Sequence, residues 1–229
     1  KLCKALCIPV SNRHRAEGDA LATVKLFKIL LDKDTEKTII IGNIKQGIDK
    51  ELSSKYQIIL DDVPSDPGIF YIHDKTGAIL YIGKGKDMKK AVNKLFIKTS
   101  KKAKSLRKRL SHVSYEKTGN ELIGRLKFQN ELEINKPTFN FSNPTIIENI
   151  EFSNPNLILL DKGRTAGEHS LILIENDILL GFCFVDLEYQ INHTEVLKSL
   201  ITELPNDKKN RYIVKNYLQK YKVEKIIRY

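Results

Sequence analysis

Twelve basic side chains of this 229-residue chain fall between positions 84 and 109, where Asp87 is the only acid. They are Lys84, Lys86, Lys89, Lys90, Lys94, Lys98, Lys101, Lys102, Lys104, Arg107, Lys108 and Arg109. The net charge is +11, so this one tract accounts for the whole excess. A charge run is usually a solvated face, but a tract this dense can also hold a polyanion, nucleic acid before an anionic membrane surface. Just ahead of it, two apolar runs flank Asp74-Lys75-Thr76-Gly77. Tyr81 in the second run brings a phenolic hydroxyl that can donate or accept a hydrogen bond, whereas Phe70 in the first offers only a ring. Some fifty residues later, Asn140 closes the sequence Lys136-Pro137-Thr138-Phe139-Asn140.

The elements that must position these groups follow from pattern. The runs around residues 74–77 predict a β-hairpin over 67–83. The basic tract reads as helical, residues 111–115 as a strand, and Thr118-Gly119-Asn120 as the start of a helix that Lys136-Pro137 ends. Upstream, residues 1–33 carry helical spacing and 34–66 a connector with a β-like run at 38–41, closed by the breaker cluster at 61–67. Downstream, 142–156 is rich in Asn, Pro and Ser and predicts a linker. Strands are expected at 157–160, 170–174 and 178–185, helices at 195–204 and 209–220, and a closing strand at 223–229. The fold class expected is α+β: a small three-stranded sheet with helices over 67–141, and a small α+β segment over 157–229.

The joint occurrence of Pro67-Gly68-Ile69-Phe70, Tyr81-Ile82-Gly83-Lys84 and the Lys136–Asn140 ending resembles the GIY-YIG nuclease superfamily, including the N-terminal domain of the excision-repair incision subunit. The resemblance implies a metal-dependent phosphodiesterase, using Mg or Mn. In that family a Glu carboxylate holds a divalent cation, while tyrosines and an Arg orient water and steady phosphate charge; an Asn completes the set. Carried over by position, the second-half Tyr is Tyr81 and the Asn is Asn140. The first-half Tyr falls on Phe70, the Arg, eight residues after Gly83, on Ala91, and the Glu, twelve before Asn140, on Phe128. An aromatic ring is no ligand for a hard cation. Glu131 and Glu121, one and two turns away on the same helix, are the nearest possible substitutes. The resemblance also implies that Lys84, Lys86, Lys89, Lys90, Lys94, Lys101, Lys102, Arg107, Lys108 and Arg109 follow a phosphate backbone.

Residues 12–23, Asn-Arg-His-Arg-Ala-Glu-Gly-Asp-Ala-Leu-Ala-Thr, resemble the last motif of DEDD-type 3′–5′ proofreading exonucleases, the ε-subunit family of replicative polymerases. That resemblance implies a general base at His14 and a metal ligand at Asp19, working with carboxylates from earlier motifs. The order of motifs resembles bacterial fusions of the two nucleases. With Lys1 at its start, the chain is expected to be a C-terminal part of a longer protein, residues 1–33 being the end of an exonuclease-like domain.

Three cysteines, Cys3, Cys7 and Cys183, without a CxxC spacing argue against a disulfide framework and for a reducing cytoplasm. No apolar run approaches the roughly 20 residues of a membrane span. Three functions remain open on the sequence. One is a DNA-binding portion of a repair or replication protein whose GIY-YIG site binds rather than cuts, with RNA as an alternative ligand. The others are an active metal-dependent endonuclease with an altered site, and an interaction module for a polymerase or repair partner.

Overall fold

The computed structural model describes residues 20, 23–29, 50–140, 151–152, 154–186, 188–191 and 193–229. His14, Asp19, Cys3, Cys7, the β-like run at 38–41 and most of the expected linker lie outside them. Two compact units divide at Gln57 and Ile58. In the first, residues 23–29 are helical, within the helix expected there. Helix α1 (Lys50–Asp62) includes the boundary. It lies within the connector expected over 34–66, where no helix is expected. Ile59 and Val63 recur at helical spacing and are buried, whereas Ile58 is exposed.

The second unit, 58–229, contains the expected hairpin. Strand β1 (Gly68–His73) is the centre of an antiparallel three-stranded sheet, between β2 (Ile79–Gly85) and β3 (His112–Lys117). The turn chemistry is visible in the bonds: the Asp74 carboxylate accepts from the Thr76 and Ala78 backbone N–H groups at 2.9 and 3.1 Å. Gly77 takes the left-handed conformation, φ +87°, that closes it. The basic tract folds as two helices. Asp87 caps α2 (Met88–Phe96), accepting from Lys90 N–H at 2.8 Å, and Ser100 caps α3 (Lys101–Arg109). Both lay an apolar stripe inward, Met88, Val92, Leu95 and Phe96 from α2 and Ala103 and Leu106 from α3, so their lysines are left on the other side.

Helix α4 (Glu121–Asn135) begins at Asn120, whose side chain accepts from Ile123 N–H at 3.0 Å. It ends at Lys136 in the left-handed region, with Pro137 behind it. The remaining strands form one antiparallel sheet ordered β7-β6-β5-β4-β8: β4 (Leu157–Lys162), β5 (His169–Glu175), β6 (Ile178–Val185), β7 (Thr202–Glu203) and β8 (Lys225–Arg228). Helices α5 (Glu188–Ile191), α6 (Thr194–Leu200) and α7 (Lys208–Lys220) complete the chain. The expected helix at 195–204 stops at Leu200 because Thr202 and Glu203 pair with Phe182 and Gly181 instead. Gly181 permits this, since a Cβ there would run into the Thr202 carbonyl and come within 2.9 Å of Ile201.

Leu157–Leu160 and Leu171–Ile174 are continuous rather than alternating apolar runs because this sheet is covered on both faces. One face packs Ile158, Leu160, Leu171, Leu173, Cys183 and Val185 around Leu197 of α6. The other packs Leu157, Leu159, Ile172, Ile174 and Phe182 against Val214 and Tyr217 of α7 and Leu122, Ile123 and Leu126 of α4. Helix α4, which follows the hairpin sheet directly, therefore contributes to the core of the second sheet. Its first turn is pinned there by Asn120, whose Nδ2 donates to Lys162 O at 2.9 Å and to Ser170 Oγ at 2.7 Å.

The polar sequence 161–169 is a clamped turn. The buried Glu168 carboxylate accepts from Arg164 backbone N–H at 2.6 Å and from the Arg164 guanidinium, which lies 4.0 Å from the Phe184 ring. The Arg164 hydrogen bonds hold the Glu168 carboxyl below its ordinary range against the opposing effect of burial. A depressed folded-state value contributes stability above the unfolded value of about 4.3 and loses it as pH falls through the folded value. Glu168→Gln is expected to lower stability at pH 7 by about 1–3 kcal/mol. It should also flatten the loss of stability as pH falls below about 4.3. Denaturant melts at pH 7 and pH 2 check it; equal losses at the two would exclude this assignment. Among the described residues no helix is long and apolar enough to cross a membrane.

Candidate nucleic-acid interface and hairpin site

The hairpin brings Phe70 and Tyr81 together, with ring centroids 6.3 Å apart. Phe70 is buried, and its ring end covers Gly83: a Cβ on that glycine would meet Phe70 Cε1 at 2.6 Å. The glycine of the second triplet is thus required by the aromatic of the first. Burial pushes the Tyr81 hydroxyl above its ordinary pKa, keeping it a neutral donor and acceptor. Ala91 lies against Gly85, where a glycine Cβ would come within 3.0 Å of the Ala91 methyl.

Asn140 is beside them, bonded at both ends of its amide. Its Oδ1 accepts from Ile82 N–H and its Nδ2 donates to Ile82 O, both at 2.8 Å. This amide closes the loop after α4 onto the backbone next to Tyr81. Asn140→Ala leaves both Ile82 groups without that partner and is expected to cost about 1–3 kcal/mol. Asn140→Asp should keep the bond from N–H but set its second oxygen against the Ile82 carbonyl, so it should not rescue. Thermal melts of the two variants test this; a wild-type melting temperature for Asn140→Ala would refute the clamp.

The Phe128 ring is partly buried and has the Lys84 ammonium 5.6 Å from its centroid. Lys84 is an exposed residue, yet desolvation, with the nearby Arg125 charge, lowers its pKa. Of the two carboxylates on α4 that could have substituted, Glu121 is occupied by Lys86 at 2.9 Å and Arg125 at 2.7 Å. Desolvation works against its charge, but these two cations still hold it below the ordinary range. Glu131 accepts from Asn135 Nδ2 at 2.8 Å and lies near Tyr71. Burial first, then the charges of Glu131 and Glu116, raise the Tyr71 pKa.

The basic residues divide by role. Arg107 donates to Lys98 O at 2.6 Å and so fastens the α2–α3 turn. Arg109 lies 3.5 Å from the Asp74 carboxylate, at the hairpin turn. Lys90 pairs with Asp87 at 3.1 Å and stays highly exposed. Lys94, Lys101, Lys102 and Lys108 are exposed along α2 and α3, Lys89 partly so. Lys84 and Lys86, at the end of β2, line a small cleft with Glu121 and Gly124 of α4.

Sequence reasoning missed Arg125, Tyr217 and Tyr221. Arg125 lies 5.7 Å from both tyrosine ring centroids, and Lys86 lies 5.0 Å from that of Tyr221. The available signals were two i,i+4 pairs, Glu121 with Arg125 and Tyr217 with Tyr221. His73 and His112 stack at 4.4 Å across β1 and β3, where the sequence presents them as isolated.

The family model for a UvrC-like GIY-YIG domain matches residues 66–141. Two curated relatives are named UvrABC system protein C. The one from Legionella pneumophila (strain Lens) is 32% identical over 94 residues, 40% of this chain and 15% of that protein. The one from Actinobacillus pleuropneumoniae serotype 5b (strain L20) is 34% identical over 83 residues, 35% of this chain and 14% of that protein. The chain thus spans about 15% of the length of the curated relatives it matches. A solved structure of the GIY-YIG N-terminal endonuclease domain of UvrC from Thermotoga maritima, bound to magnesium, aligns over 41% of this chain and 100% of that one. Its identity is 18% and its TM-score 0.35. The family match and the sequence relatives support a UvrC-like GIY-YIG domain at residues 66–141.

Proposed function

We propose that this chain is the DNA-binding portion of a longer bacterial repair or replication protein, and that its GIY-YIG site holds a phosphate backbone without cutting it. The observation that carries the reading is the Lys84 ammonium over the Phe128 ring. The family pattern calls for a cation-binding carboxylate at this position, and here an aromatic ring stabilises a cation of the protein itself. The rest of the set points the same way. Phe70 and Ala91 offer carbon, and both ends of the Asn140 amide are bound to Ile82. These donors do not fit a hard divalent ion, which takes oxygen ligands. What the residues can do is bind: Tyr81 by its hydroxyl and the α2 and α3 lysines by charge.

DNA is favoured as the ligand because the sequence relatives are named as components of the UvrABC system. The test is a salt titration of affinity for a labelled duplex. With six or more phosphates contacted, affinity should fall roughly a thousandfold between 50 and 200 mM salt. A flat titration would count against the reading. Plasmid nicking that appears with Mg²⁺ or Mn²⁺ would replace it with the endonuclease reading.

The domain organisation proposed is an exonuclease-like end at 1–33, a connector at 34–66, the GIY-YIG-like domain at 67–141, a linker at 142–156 and an α+β segment at 157–229. The exonuclease assignment rests on residues 12–23 and needs carboxylates from elsewhere in the longer protein. There, His14→Ala should abolish 3′–5′ degradation while leaving duplex affinity unchanged.

A further inference from the structure

Tyr221 stands at the end of α7, outside the residues that the family model matches, yet it faces the start of the basic tract. The residue is 38% exposed, and the buried Tyr217 backs its ring at 4.8 Å between centroids. Lys86 and Arg125 lie within 5.0 and 5.7 Å of its centroid. Beyond Arg125 come Lys84 and, 5.6 Å from its ammonium, the partly buried Phe128 ring. Three cations here face the carboxylate of Glu121, and the Asp161 carboxylate is close enough to act on Tyr217. The surface therefore runs aromatic, cation, cation, aromatic, and it continues the charge of the tract.

We propose that Tyr221, with Lys86, Arg125 and Lys84, is a platform for an unpaired base and its flanking phosphate, so that the C-terminal segment directs the domain to single-stranded or frayed nucleic acid. The inference rests on the nucleic-acid reading above and names the form of ligand. Tyr217 holds the ring and the exposed Lys86 ammonium lies over it, so a base can stack there when that ammonium turns to the adjoining phosphate, with the Arg125 guanidinium beside it. In an intact duplex the base faces are covered by their neighbours, and the ring adds nothing. Glu121 serves a second purpose here: it holds Lys86 and Arg125 in place around the ring at both salt bridges.

The experiment is fluorescence anisotropy with the whole 229-residue chain, a labelled oligothymidine and a duplex of equal length at one salt concentration. Tyr221→Ala should weaken oligothymidine binding by about tenfold or more, with duplex affinity within twofold of wild type. Tyr221→Phe should restore it, and Tyr221→Leu, which keeps apolar bulk without a planar face, should not. The salt slope should be unchanged in Tyr221→Ala but smaller by about one in Lys86→Ala. Wild-type affinity of a folded Tyr221→Leu for oligothymidine would overturn the platform and leave the duplex reading intact. A wild-type chain that binds neither ligand would overturn both.

Discussion

Phe70→Tyr, Ala91→Arg and Phe128→Glu, introduced together, are expected to confer Mg²⁺- or Mn²⁺-dependent nicking of supercoiled plasmid, at least a hundredfold above the unsubstituted chain. On the proposal that the site binds without cutting, these three positions are what separates scaffold from catalyst. The scaffold can receive the carboxylate. Phe128 is only partly buried, so a carboxylate there need not be dehydrated. Its nearest cation is Lys84, 5.6 Å from the ring centroid, and this lysine already binds its proton less tightly than usual. Phe128→Glu alone should therefore form a pair with Lys84 and raise that lysine's pKa. An ion pair of this kind competes with metal, so the single variant is expected to bind Mn²⁺ weakly and to leave plasmid intact. Calorimetric titration with Mn²⁺ separates the steps, because the triple variant should take up an ion that the parent does not. A folded triple variant inert to metal and plasmid would show that the deficit lies elsewhere in the site. Nicking by the parent chain under the same conditions would remove the premise.

The hairpin and its turn were legible because local chemistry decides them: Asp74 and Gly77 bond to the residues that the pattern names. The same holds for α4, whose cap Asn120 and stop at Lys136-Pro137 are adjacent in sequence to what they terminate. Elements set by distant partners were harder. Thr202 and Glu203 have helical neighbours, yet they pair with β6 because Gly181 lets the backbone approach. Helix α1 lay hidden in a polar stretch with few apolar anchors. At the site, residue identities could be aligned from sequence, including the three departures. What they touch could not: nothing in the spacing shows that Asn140 spends both ends on Ile82, or that Lys84 lies over Phe128. Least legible was α4's second face. The periodicity of Leu122, Ile123 and Leu126 marks an apolar stripe without saying that a second sheet, thirty residues on, will cover it.

That second face leads to the largest stability effect expected in the chain. Gly119 precedes the Asn120 cap with φ +71°, and a Cβ there would enter the backbone of Gly163 and lie 2.8 Å from Lys162 O. The clash is with main chain at the β4–β5 turn, which Glu168 already clamps, so no rotamer change can relieve it. Two costs add: a left-handed conformation for a residue with a side chain, about 1 kcal/mol, and the forced separation of two backbones, about 1–3 kcal/mol. Separation would also stretch the Asn120 bonds to Lys162 and Ser170, which hold α4 to the second sheet. Gly119→Ala is therefore expected to destabilise by about 3 kcal/mol, and Gly119→Val by more. For a unit of this size that corresponds to a fall in melting temperature of roughly 6–12 °C. Gly77→Ala is the control. Its φ is also positive at +87°, but nothing lies within 4 Å of the added methyl, so only the smaller conformational cost should appear. Because α4 links both sheets, the loss should be seen together in the near-ultraviolet signals of tyrosines on either side of it, Tyr81 and Tyr217. Equal melting temperatures for the two alanine variants would mean that the approach of Gly119 to Gly163 contributes nothing.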